Sequence, residues 1–121
     1  MASTPPRPVI WMGDSLDVLR EFLAPVQDEV GYALYLAQIG SKYVAAKPLK
    51  GLGSGVLEVL SDERGDTFRA VYTVRFADAV YVLHAFQKKS TKGISTPQRE
   101  VDLVKARLRL AEEVHRKREK Q

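Results

Sequence analysis

A chain of 121 residues with 45% apolar content supplies one modest core, and therefore one domain. It has no cysteine, which excludes disulfides, thiolate catalysis and cysteine-based zinc sites; its two histidines, His84 and His115, fall on different predicted elements, which argues against a histidine-rich metal site. The formal charge of +4 is unevenly divided: residues 1–86 carry 8 Lys/Arg against 10 Asp/Glu, and residues 87–121 carry 11 against 5, so a polyanion would be met by the C-terminal end unless that end is simply a solvated basic helix.

The N-terminal MASTPPRPVIW has no cationic start followed by an apolar run, so it does not read as a signal peptide. The apolar stretch Gly31–Ala37 is far too short to cross a bilayer, and a cytoplasmic protein with no membrane contact is expected. Val9–Met12 reads as a first strand. Asp14 is placed to cap a helix carrying Leu16, Leu19, Phe22 and Leu23, which Pro25 ends. A second helix spans about Val26 to Ile39, with Val26, Val30, Ala33, Leu34 and Ala37 as its buried stripe and Gly40 beyond its end. Lys42–Gly55 is a loop with Pro48 and three glycines.

Strands follow at Val56–Leu60, Thr67–Phe76 and Val80–Gln87, the second alternating between Phe68, Ala70, Tyr72, Val74 and Phe76 on one face and Arg69, Val71, Thr73 and Arg75 on the other. Thr96-Pro97 starts a terminal helix that reaches Arg116, with Thr96 as its cap. It carries two apolar stripes: Val101, Val104, Leu108 and Ala111, and Leu103, Ala106, Leu110 and Val114. One should dock on the sheet, the other on the helical hairpin or on a partner chain. The expected fold is α+β: an N-terminal strand and helical hairpin packed on a twisted antiparallel sheet, with a C-terminal helix and the helices on one face. Residues 1–121 form the single domain, with 1–7 and 116–121 flexible.

The stretch Tyr81–Pro97 holds most of the chemistry. A strand with His84 embedded in it runs into Lys88 and Lys89, which fixes positive charge at the end of a rigid element where a phosphate could be held. Alternation sets Lys89 on the face of Gln87 and Ala85, and Lys88 on the face of Phe86 and His84.

Lys47-Pro-Leu-Lys-Gly-Leu-Gly, the strand Phe68-Arg69-Ala-Val-Tyr72 and the segment HAFQKKSTKGISTP resemble the RelE/HigB-like toxins of type II toxin–antitoxin systems, the phage-derived HigB-like branch above all, over roughly residues 8–112. The resemblance implies a ribosome-dependent endoribonuclease that cuts mRNA and halts translation. It needs no cofactor or metal, and its partner is an antitoxin, of helix-turn-helix HigA-like type, in a hetero-oligomeric complex.

Metal-free RNA cleavage by the 2′-OH requires a base, cations for the phosphorane and an acid for the leaving oxygen. Arg69 matches the family's strand arginine, where a guanidinium can grip two phosphate oxygens, or else it is a solvated arginine on an open sheet face. Lys88 and Lys89 match the family's basic pair, and Lys89 is favoured by that alignment as the phosphate contact. His84 suits acid–base work or is a satisfied core histidine. Where many relatives carry lysines on the strand Val56–Leu60, this chain has Glu58: either it acts as the base, or this branch relies more on Arg69 and the lysine pair, or nuclease activity is weak or lost. Lys47, Lys50, Lys92 and Arg99 are candidates for binding RNA or the ribosome. Tyr72 and Tyr81 could stack on bases, Tyr72 being the better fit to the core. The alternatives are a ParE-like toxin that poisons DNA gyrase and a non-catalytic nucleic-acid-binding module of the same fold.

Overall fold

A computed structural model describes residues 5–88 and 96–120. Strand β1 (Val9–Trp11) leads into helices α1 (Ser15–Arg20) and α2 (Ala24–Gln38). The short β2 (Lys47–Pro48) is followed by β3 (Val56–Glu63), β4 (Asp66–Thr73), β5 (Val80–Lys88) and α3 (Gln98–Glu119). The architecture is α+β, with one five-stranded sheet ordered β1-β5-β4-β3-β2. It is mixed rather than wholly antiparallel: β1 pairs in parallel with β5, matching Val9 to Val80 and Trp11 to Val82. The helical hairpin carries the chain from β1 to the opposite edge of the sheet, and the meander of β2 to β5 brings it back beside β1, which supplies the long connection a parallel pair needs.

The first helix lacks the expected cap. Asp14 occupies the cap position, but only its backbone carbonyl bonds the helix, accepting from Val18 N–H; its carboxylate instead accepts from Arg107 on α3 at 2.8 Å. Pro25 does not end α1 but lies in the first turn of α2, where its missing N–H costs nothing. Likewise α3 is not capped by Thr96: Pro97 holds the cap position, and the Thr96 hydroxyl points into the sheet.

Each sheet face carries its own core. The hairpin buries Val26, Val30, Ala33, Leu34 and Ala37 against Leu57, Val59, Phe68, Ala70, Tyr72 and Val82. The opposite face receives α3, whose Val104, Leu108 and Ala111 pack on Val71, Tyr81 and Leu83. So the helices do not share a face, and α3's second stripe cannot reach the hairpin. Leu103 and Leu110 are exposed. Both tyrosines belong to these cores: burial pushes the Tyr72 and Tyr81 hydroxyls up to about 12, and the latter donates to Asp78 at 2.9 Å.

The helix also runs past Arg116 to Glu119, because its last turns are anchored. Asp78, in the turn between β4 and β5, accepts from His115 Nδ1 at 2.8 Å and Arg118 Nε at 2.7 Å. The His115 ring stacks on Phe76. Burial pushes the Asp78 carboxyl up, but hydrogen bonds from Arg118, Tyr81 and His115 outweigh it and hold the group below 3.8. At the other end of the chain, the Arg7 guanidinium donates to the Ala37 carbonyl at 2.8 Å, tying the N-terminus to α2.

Candidate active site beneath the terminal helix

Strand register decides which polar side chains meet. Arg69 pairs across the sheet with Phe86, and Val71 pairs with both His84 and Glu58. Directly paired residues project to one face. A bulge at Val71/Tyr72 shifts the register, leaving Leu83 without a partner on β4. Beyond it His84, Phe86 and Lys88 all turn toward α3, while Val80 and Val82 face the hairpin. The face is therefore shared by Glu58, Arg69, His84 and Lys88. Lys88, rather than standing opposite Arg69, lies on its face at the strand end and is half-buried. Lys89 and Lys92 lie outside the described residues.

The Arg69 face is covered rather than open, which removes the alternative of a solvated arginine on an open sheet face. Arg69 is 2% exposed and Glu58 is 7% exposed, with α3 packed on this face and Thr96, just before it, bonded to both. Arg69 Nη1 stands 3.4 Å from Glu58 Oε1 and donates to Thr96 Oγ at 2.9 Å. The Thr96 hydroxyl in turn donates to Glu58 Oε2 at 2.9 Å. A hydroxyl is thus held between a carboxylate that can take its proton and a guanidinium that would stabilise the resulting oxygen charge.

His84 is held at both nitrogens. Arg107 Nη1 approaches Nδ1 at 3.1 Å, and Glu100 Oε2 approaches Nε2 at 2.5 Å. A guanidinium can only donate, so Nδ1 is the acceptor and the ring proton resides on Nε2, facing Glu100. The ring also stacks on Phe86 with centroids 5.1 Å apart. Arg107 continues the chain to the Leu83 carbonyl and to Asp14, whose carboxyl its hydrogen bond holds below 3.8. The guanidinium passes so close to the backbone that a Cβ on Gly13 would meet it at 2.6 Å. With φ at +55° as well, that position is suited to glycine.

The remaining candidates are peripheral. Lys47 pairs with Glu58 across β2 and β3, which puts it on the same face but exposed at the sheet edge, and Lys50 is exposed in the glycine loop. Arg99 is exposed on the first turn of α3, its Nε 3.5 Å from Glu100 Oε1. Among the described residues, no group of three or more His, Asp or Glu side chains could hold a metal ion.

Sequence reasoning missed Thr96 and Glu100 as partners of the strand residues, and Arg107 as the link to Asp14. A signal existed: Glu100, Arg107 and Val104 are spaced four and three apart, so both charges flank the buried stripe of α3.

Residues 17–109 match a family model described as phage derived protein Gp49-like (DUF891). The chain belongs to that family. The Gp49-like proteins are a RelE/HigB-like toxin family, so membership implies a toxin with an antitoxin partner. The Gp49-like match includes Glu58, Arg69, His84, Lys88, Glu100 and Arg107; Asp14 and the His115–Arg118 anchor fall outside it. No curated protein matches the chain. Among the described residues no helix is long and apolar enough to cross a membrane.

Proposed function

We propose that this Gp49-like protein is the toxin of a type II toxin–antitoxin pair of the HigB-like branch, and that it cleaves mRNA on the ribosome by attack of a 2′-OH on the adjacent phosphate. The attack breaks the P–O5′ bond, leaves a 2′,3′-cyclic phosphate and releases the 5′-oxygen as a hydroxyl protonated by the Lys88 ammonium or by water. The Glu58–Thr96–Arg69 arrangement carries this reading. The Thr96 hydroxyl stands in for the ribose hydroxyl: Glu58 is positioned to take its proton, and Arg69 to hold the charge that develops next to it. Lys88, at the strand end on the same face, adds charge for the phosphorane. His84, fixed by Glu100 and Arg107, keeps the first turns of α3 seated over the row. RNA reaches Glu58 and Arg69 only when Thr96 yields its place. A site covered in this way supports an activity that appears on a large partner such as the ribosome, and the antitoxin, a HigA-like helix-turn-helix protein, is read as the partner that keeps it shut.

Burial of Arg69, Glu58 and His84 also favours a second reading, in which they are a polar core and the toxin acts without RNA chemistry, for example on DNA gyrase. Inducing the protein in cells and mapping RNA ends separates the two. The first reading expects mRNA fragments ending in 2′,3′-cyclic or 3′-phosphate, formed on ribosomes with no metal beyond what ribosomes require. Intact mRNA with DNA-damage signalling selects the second. A folded Thr96→Ala protein should cleave at least as fast as the unaltered chain, since it lacks the competing hydroxyl; loss of cleavage would remove the stand-in role.

A further inference from the structure

The outer face of α3 has no part in the row beneath it, yet it carries an ordered line of charge. Lys105, Arg109, Arg116 and Lys120 are all exposed. Their spacings of four, seven and four residues place them within about 60° of arc at 3.6 residues per turn, along about 22 Å of helix. Glu112 stands in the same line, but its carboxylate is paired with Arg75 Nη1 at 3.6 Å. Glu113 lies beside Arg116, Lys117 and Lys120 and leaves that group net positive.

Arg75 does more than neutralise Glu112. Its Nε donates to the Ser54 carbonyl at 2.9 Å and its Nη2 to the Leu52 carbonyl at 2.5 Å, so one guanidinium fastens the glycine loop to α3. The loop is shaped around it: Gly53 has φ of +80°, and a Cβ there would lie 2.8 Å from Arg75 Nη2. Between the two elements runs a groove lined by Gly51, Leu52, Lys105, Leu108, Arg109 and Glu112, with exposed Lys50 next to it in sequence. The apolar side of α3 is already spent on the sheet, and the large apolar side chains it leaves exposed are Leu103 and Leu110, about 80–100° beyond the edge of this line and too few to make the broad apolar face a lipid surface would need.

We propose that this ridge, formed by the outer face of α3 and the glycine loop that Arg75 holds against it, docks the phosphate backbone of an RNA duplex. The proposal rests on the reading that the toxin works on ribosome-held RNA, and assigns the ridge to structured RNA rather than to the cleaved strand. A-form RNA is recognised largely by shape and by its phosphates across successive grooves, so four cations spread over about 22 Å can meet backbone phosphates at more than one crossing without reading sequence.

The test is binding of the full chain to a fluorescent RNA duplex of about 16 base pairs between about 50 and 200 mM salt. The Lys105→Ala/Arg109→Ala chain should bind about tenfold or more weakly at the low-salt end, with a salt slope shallower by about two. Its unfolding midpoint should not move, since both side chains are exposed. Arg116→Ala/Lys120→Ala should independently give a loss of the same kind. On purified ribosomes, either pair should raise the ribosome concentration needed for half-maximal cleavage and leave the maximal rate unchanged. Unaltered duplex binding and salt slope in both pairs would overturn the proposal, and so would a loss confined to an acidic polyglutamate probe, which would mark a surface for an acidic protein. An unaltered chain that binds duplex RNA through the ridge but leaves mRNA whole would reject the cleavage reading and support the ridge.

Discussion

The two faces of the sheet are built on opposite principles. Under the hairpin, α2 contributes only Val, Ala and Leu, and the strands answer with Leu, Val, Phe, Ala and Tyr. Under α3, the same strands place Glu58, Arg69 and His84 among apolar neighbours, and α3 sends Glu100 and Arg107 to meet them. Burying ions costs several kcal/mol each, and well-packed apolar residues in their place are often as stable or more so. The hairpin face therefore accounts for the fold, and the ionic row under α3 points to a use other than stability.

The sharpest way to probe that difference is to remove one ion. Arg69→Ala leaves Glu58 buried without its cation and should cost about 3–5 kcal/mol in denaturant unfolding. An unchanged midpoint would show that the pair is not buried in solution. On the other face, Leu34→Ala should cost about 2–4 kcal/mol by opening a cavity, yet the protein should keep its full toxicity wherever it remains folded. Toxicity lost out of proportion to stability there would erase the contrast between the faces.

A smaller effect belongs to the far end of α3. Asp78→Asn should cost about 1–2 kcal/mol at neutral pH by weakening the bonds from His115 and Arg118. The Asp78 carboxyl is held below its ordinary 3.8, so its contribution is full above that value and fades as pH falls through the lower folded value. The two proteins should therefore converge in stability below pH 3.8; a gap that persists in acid would place the anchoring elsewhere. Smallest in stability is Lys88→Ala, which should cost about 1 kcal/mol or less because the side chain is only half-buried, yet it should slow cleavage about a hundred- to a thousandfold. Cleavage at the normal rate by that variant would remove Lys88 from the site.

Periodicity in the sequence was enough to place every long element, because Phe68, Ala70 and Tyr72 alternate cleanly and Val26, Val30, Ala33, Leu34 and Ala37 recur at helical spacing. The parallel pairing of β1 was not legible, since a three-residue strand carries no sign of its partner. Nor was the side taken by α3: its stripe fits either face, and only the Val71/Leu83 surface, left open by the hairpin, selects one. The candidate side chains were legible by type, but their environment was not. Arg69 was readable as lying off the hairpin core, whereas the bulge that swings His84 and Lys88 to its face depends on a register shift that alternation cannot foresee.

The central claim, that the ionic row is kept for RNA chemistry rather than for folding, is tested most directly by replacing it with apolar residues of similar size. A Glu58→Leu/Arg69→Met protein should unfold at or above the denaturant midpoint of the unaltered chain, because no lone ion remains beneath α3. On purified ribosomes this stable protein should no longer cleave mRNA. A stable double variant that cleaves mRNA at the rate of the unaltered chain would contradict it.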